Sequence, residues 1–195
     1  MLGYSINGIN KYYIDNRVIH NKKCNSPKQF LYIGEFIPRK NVISLIKAFQ
    51  LIQKEYPNII LNLVGGGGKK KNNQEKEIFD FVDKNNNINF IGKIISKEKL
   101  VNLIRDNDMF IMVSHTETFG LVYIEALSQG LPIIYTKGQG VDGFFDDIKV
   151  GEKANSKSID SIYNAMKKII EDYPSYENIG ERINQFTWEN NSKMI

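Results

Sequence analysis

From residue 29 onward the chain alternates short apolar runs with segments of helical period, and this alternation constrains the fold more than any other feature. Residues 29–34 (QFLYIG) are an apolar run closed by glycine, the pattern of a buried strand. Asn41 then offers an N-cap to a helix reaching about Tyr56, with Val42, Leu45, Ile46, Phe49 and Ile52 at helical spacing. Pro57 ends it, and residues 59–64 (IILNLV) predict the next strand. A helix over 75–85, a strand over 88–91 and a helix over 97–107 follow, the last with Leu100, Leu103 and Ile104 inward. Residues 109–113 (MFIMV) show no alternation, as expected of a strand covered on both faces. A helix over 119–129 is closed by Gly130. A strand over 132–136 comes next, then a helix over 158–172 with Ile159, Ile162, Met166, Ile169 and Ile170 on one side.

Strands alternating with helices through short loops imply right-handed crossovers onto a parallel sheet. The expected fold is therefore a doubly wound α/β domain over about residues 28–186, with helices on both faces of the sheet. In such sheets ligands bind beyond the carboxyl ends of the strands. The segments to watch are 34–40, 65–71, 91–95, 114–120 and 136–145.

Composition removes several function classes. With 10 Tyr, 11 Phe and 29 Ile in 195 residues there is ample core for one domain, and disorder is excluded. Cys24 is the single cysteine, so neither an intrachain disulfide nor a cysteine zinc cluster can form. A reducing, cytoplasmic setting is therefore the expectation, and no apolar run approaches the roughly 20 residues of a membrane span. MLGYSINGIN also lacks the marks of a signal peptide. The net charge of +4 rests on 22 Lys and only 4 Arg, which are scattered. Sequence-reading nucleic-acid binders use Arg forks and dense basic patches, so no nucleic-acid partner is expected. The abundance of Lys, Ile and Asn reads instead as the codon bias of an AT-rich genome.

The four glycines 65–68 do not form a familiar phosphate loop. A Walker loop needs Ser or Thr after Gly-Lys, and Lys69 is followed by Lys70 and Lys71. A dinucleotide fingerprint started at Gly65 or Gly66 fails at its last glycine. What remains is a turn that permits close backbone approach. The segment SHTETFG (114–120) says more. It joins a buried strand to a helix, so the amides of Gly120 and Leu121 point to the carboxyl edge of the sheet, where a helix start suits phosphate. Thr118 could cap that helix. Glu117 stands just before it, and Glu125 about 9 Å down its axis, so a phosphate-bearing ligand laid along the helix could touch both acids.

Glu117-x7-Glu125, within ETFGLVYIEALSQGLPII, resembles the Glu-x7-Glu signature of family 4 retaining, nucleotide-sugar-dependent glycosyltransferases of the GT-B fold. FLYIGEFIPRKNVISLIKAF is similar to the first strand, basic loop and helix of their donor-binding domain. LNLVGGGG and INFIGKI are similar to the second and third strands, and FTWEN to the start of the closing helix. The resemblance runs from about Phe30 to Trp188. It implies one Rossmann-like half of a GT-B fold, with residues 28–195 the donor domain and residues 1–27 a remnant of interdomain linker and N-terminal extension. It further implies glycosyl transfer with retention, of the kind employed in bacterial surface polysaccharide biosynthesis. Residue by residue, Arg39 and Lys40 would neutralise the donor pyrophosphate, the amides of Gly120 and Leu121 would hold the distal phosphate with Thr118 and Phe119 also contacting the donor, Glu125 would accept the ribose hydroxyls and Glu117 would reach the transferred sugar or its phosphate. Gly34, Gly65 and Gly66 would line the phosphate approach, and Ile91, Gly92 and Lys93 the base. The implied partner is a UDP- or GDP-sugar, with no cofactor and no metal. The full-length enzyme would include an N-terminal acceptor-binding domain and leaves room for work at the inner face of the membrane.

Two departures qualify the resemblance. The family commonly has an Arg directly after the first-strand glycine, where this chain has Glu35. The acceptor-binding half also lies outside these 195 residues, so the chain alone is expected to transfer sugar poorly. A non-catalytic nucleotide-sugar-binding module is the alternative. A receiver-like signalling domain shares the sheet but needs an acidic cluster where 34–40 is basic. Among the remaining candidates, His115 reads as a polar loop residue, His20 as surface, Cys24 as isolated and Trp188 as a packing anchor. Asp142, Asp146 and Asp147 lack EF-hand spacing and read as a solvated loop, with Gly138, Gly140 and Gly143 permitting a turn near the sugar.

Overall fold

A computed structural model describes residues 8–19, 26–67 and 73–187. Six strands form one sheet: β1 (Gln29–Glu35), β2 (Ile60–Gly66), β3 (Ile88–Gly92), β4 (Met109–Ile111), β5 (Ile133–Thr136) and β6 (Gly151–Ala154). Every pairing is parallel and the order is β3-β2-β1-β4-β5-β6. The helices are α1 (Lys11–Asp15), α2 (Val42–Ile52), α3 (Asn73–Lys84), α4 (Lys97–Asp106), α5 (Leu121–Ser128) and α6 (Ile159–Glu171). α2 packs against α3 and α6 in one layer. On the other face α5 packs against α1 and a 3-10 turn over Gly180–Phe186. α4 joins that layer through Arg105, whose Nε donates to Gln129 Oε1 at 2.9 Å. The expected doubly wound α/β architecture is thus present.

The central strands carry the core. Phe30, Leu31 and Tyr32 of β1 and all of residues 109–113 are inaccessible to solvent, as the unalternating pattern requires. Each such side chain contributes about 1.5–3 kcal/mol through burial. On α4, Val101 and Ile104 are the buried residues, while Leu100 and Leu103 are partly covered.

Several boundaries differ from the sequence reading. β6 (GEKA) was not expected, because an edge strand with one exposed face carries no apolar run. α2 stops at Ile52, and turns bring the chain to Pro57. Residues 8–18, assigned to a linker remnant, are docked on the domain. Ile9, Tyr13 and Ile14 are buried, Ile9 N–H donates to Phe186 O at 2.7 Å, and Val18 N–H to Ser128 O at 2.8 Å.

Candidate functional site

β1 and β4 are neighbours whose following helices go to opposite layers, so their carboxyl ends form the switch point of the sheet. The two strands pair only at Phe30–Met109 and Leu31–Phe110 and then separate. Two loops meet across the gap. After β1 the chain makes a 3-10 turn over Pro38–Lys40, and His115 N–H donates to Arg39 O at 2.8 Å. Arg39 Nη1 donates to Thr116 O at 3.0 Å. Lys40 Nζ lies 2.6 Å from Glu117 Oε2, and Arg39 Nη1 lies 4.0 Å from the same oxygen. The Lys40 and Glu117 side chains are only 14% and 11% exposed, whereas Arg39 is 47% exposed. The site therefore holds one enclosed ion pair and one solvent-facing cation.

Tyr32 and Tyr123 form its floor. The Tyr123 hydroxyl donates to Met112 O at 2.6 Å, and the Tyr32 hydroxyl to Glu35 O at 2.9 Å. Burial, reinforced by the negative charge of Glu117, pushes both phenols well above their ordinary values. They remain donors across the physiological range.

The backbone of Glu117 is held as well. Its N–H donates to Gln139 Oε1 at 3.2 Å and its carbonyl accepts from Gly140 N–H at 3.1 Å. Thr118 does not cap α5. Gly120 occupies the cap position with φ +77°, and Thr118 is exposed. A Cβ on Gly120 would lie 2.6 Å from the Tyr123 ring and 3.1 Å from Glu117 Cγ, so only glycine lets the helix start this close to both. None of the hydrogen bonds among the described residues uses the Gly120, Leu121 or Val122 N–H. They form an open, partly positive helix end beside Glu117. Phe119 behind them is buried against Phe144 and Phe186.

Glu125, further along α5, is in a different state from Glu117. Burial raises its carboxyl to about 7, opposed by the positive charge of Lys97. No hydrogen bond to its carboxylate is made among the described residues. Among the described residues the first acid is paired and the second makes no ion pair.

The remaining expected residues lie along the same carboxyl edge. Gly34 pairs with Gly65, and Glu35 with Gly66, where β1 meets β2. Gly65 has φ +132°, and a Cβ there would fall 1.9 Å from Gly34 O, so the close approach expected of the glycine run is real at this residue. Glu35 is exposed. Ile91, Gly92 and Lys93 end β3, two strands away from β1, with Ile91 40% exposed. The structure does not bring them to Glu117. Asp142 and Asp146 pair with Lys153 at 2.7 and 3.4 Å, and Asp147 with Arg182 at 2.6 Å. Among the described residues no three His, Cys, Asp or Glu form a metal-sized group. His115 Nδ1 lies 3.2 Å from Ser156 Oγ. His20, Cys24, Trp188 and Lys69–Lys71 lie outside the described residues.

Sequence reasoning missed Gln139 and took Asn41 for a cap. Asn41 does precede α2, but its side chain makes no cap bond; it reaches Val113 O at 3.1 Å and Ser156 O at 2.7 Å instead. Buried carbonyls outcompete the helix end for its amide.

A family model described as glycosyl transferases group 1 matches residues 15–186. The chain belongs to that family. The capsular polysaccharide biosynthesis glycosyltransferase CapM of Staphylococcus aureus is 27% identical over 92% of this group 1 domain and 48% of its own length. The domain spans about half the length, or less, of the curated relatives it matches. Two of the solved structures that share its fold bear on the site. One is Anabaena HepE in complex with UDP and glucose, with a TM-score of 0.73 and 20% identity over 87% of this chain and 47% of that one. The other is the C-terminal domain of a group 1 family protein of Francisella tularensis, with a TM-score of 0.71 and 21% identity over 87% of this chain and 93% of that one. The group 1 domain is therefore the C-terminal, Rossmann-like half of a GT-B fold. No described helix is long and apolar enough to cross a membrane.

Proposed function

We propose that this domain binds the diphosphate of a nucleotide-sugar donor at the β1/β4 switch point and serves retaining glycosyl transfer in surface polysaccharide synthesis. One observation carries the proposal: Lys40 and Arg39 both approach Glu117, whose Cγ lies beside the Gly120 that opens α5 with its amides unused. Cations and helix amides converging on one point fit a diphosphate and need no metal. When the bond from sugar to diphosphate breaks, the departing oxygens gain negative charge, and these groups oppose it. Glu117, aligned by Lys40, faces the transferred sugar, and the carboxylate of Glu125 accepts the ribose hydroxyls. Ile91–Lys93 border the base. The solved HepE complex, which holds UDP and glucose, supports the choice of ligand class by its shared fold. The relative CapM, which functions in capsular polysaccharide biosynthesis, supports the pathway.

The test is calorimetric titration with UDP, GDP, ADP and dTDP and their glucose conjugates, each with and without EDTA. Metal-independent binding of at least one diphosphate is expected. Binding of none overturns the reading. A second reading, a nucleotide-sugar-binding module without catalysis, is favoured by Glu35, an exposed acid at the end of β1 where the phosphates would approach. Tight donor binding by the full-length protein, with no transfer or donor hydrolysis, would select it.

A further inference from the structure

Asn41 is the single non-glycine residue with positive φ among the described residues (φ +57°, ψ +33°). It directly follows Lys40 and is 3% exposed. Its two amide hydrogens are both used, one on Val113 O at the end of β4 and one on Ser156 O, in the loop between β6 and α6. Ser156 Oγ in turn meets His115 Nδ1. One carboxamide therefore ties together the loops after β1, β4 and β6 at the residue where the basic turn reverses into α2.

We infer that Asn41 is a positioning residue for the diphosphate site, holding Lys40 in register with Glu117. This rests on the functional reading above. Two properties are needed at this position. The backbone must enter the left-handed region, which asparagine tolerates better than other residues with a Cβ. The side chain must also supply two donors to buried carbonyls, which are costly to leave unpaired. A glycine meets the first need and not the second. In the absence of the amide clamp the Pro38–Lys40 turn keeps its own backbone bonds, its contacts with the 115–117 segment and that of Lys40 with Met112, but Lys40 loses the fixed base from which it reaches Glu117 and the phosphates.

The variant Asn41→Gly separates clamp from backbone and is the deciding one, while Asn41→Asp keeps the shape and replaces both donors by a carboxylate whose charge itself opposes phosphate. Each is titrated with UDP and UMP and with GDP and GMP, and the ratio of diphosphate to monophosphate affinity is the readout. A control, Asn107→Ala, removes a buried amide at the amino end of the sheet that bonds Asn62. Both Asn41 variants should lose about tenfold of the diphosphate preference, the scale of one charge-assisted hydrogen bond. The control should lose thermal stability without losing the preference. An unchanged preference in Asn41→Gly, or an equal loss in the control, would overturn the assignment. Failure of both Asn41 variants to fold would make Asn41 a folding residue and overturn it too. If the wild-type protein binds none of the four nucleotides, the functional reading falls first, and that result is distinct from a preference that survives the variants.

Discussion

Lys40 Nζ and Glu117 Oε2 lie 2.6 Å apart although 77 positions separate them in the chain. The pair bridges the two strands at which the sheet changes winding direction. It neutralises an acid that is only 11% exposed, and that acid sits beside Gly120, where α5 opens.

Replacing Lys40 by Ala should therefore weaken a nucleoside diphosphate more than a monophosphate. The loss expected for one charged hydrogen bond is about 10- to 100-fold. It should shrink as salt is added, because screening acts over about 8–10 Å near physiological ionic strength. The double variant with Glu117→Gln should recover part of the lost folding stability, since the single variant leaves a covered carboxylate without its cation. Equal losses for mono- and diphosphate would show that Lys40 is not aimed at the distal phosphate.

Glu125 makes a pH prediction of definite sign. Its carboxyl titrates near 7 in the folded chain, against 4.5 as the ordinary value, chiefly through burial. The unfolded chain releases this proton first, so between about pH 4.5 and 7 ionisation favours unfolding. The penalty vanishes below that window and is complete above it, on the order of 3 kcal/mol. Glu125→Gln should then melt higher than wild type at pH 8 and alongside it at pH 4. Thermal melts at the two pH values decide the matter; a variant less stable at pH 8 contradicts it.

The same substitution should cost ribose recognition. Ribonucleotides should lose affinity in Glu125→Gln, and 2′-deoxy nucleotides should lose little beyond their lower starting affinity. Equal losses for both series, read by calorimetry, would remove Glu125 from the ribose.

Gly120→Ala should be severe and Thr118→Ala mild. The new Cβ at Gly120 meets the Tyr123 ring at 2.6 Å in a backbone conformation that L residues disfavour. Strain plus repacking predicts a loss of about 2–4 kcal/mol. Thr118 is exposed and caps nothing, so its change should stay within about 0.5 kcal/mol. Denaturant melts of the two variants measure both. A Thr118→Ala loss comparable to that of Gly120→Ala would mean the cap has been placed on the wrong residue.

Local pattern determined much of this protein. The unalternating apolar run 109–113 and the helical spacing of Val42 to Ile52 announced a buried strand and an amphipathic helix. Neighbouring residues settle these features, because side-chain periodicity acts over one or two turns. The motif Glu117-x7-Glu125 pointed to the candidate site by resemblance. Tertiary structure alone decided how those acids differ. Glu117 is neutralised by a lysine from another strand's loop, while Glu125 is half-buried on the helix that packs against α1, with only the charge of Lys97 to favour its ionisation. Asn41 shows the limit most clearly. By sequence it is a helix cap; in the fold two carbonyls 72 and 115 residues away claim its amide. β6 was invisible because GEKA becomes a strand only by lying against β5. Spacing along the chain encodes which residues face inward, but the charge state and partners of a side chain depend on what the closed sheet brings beside it.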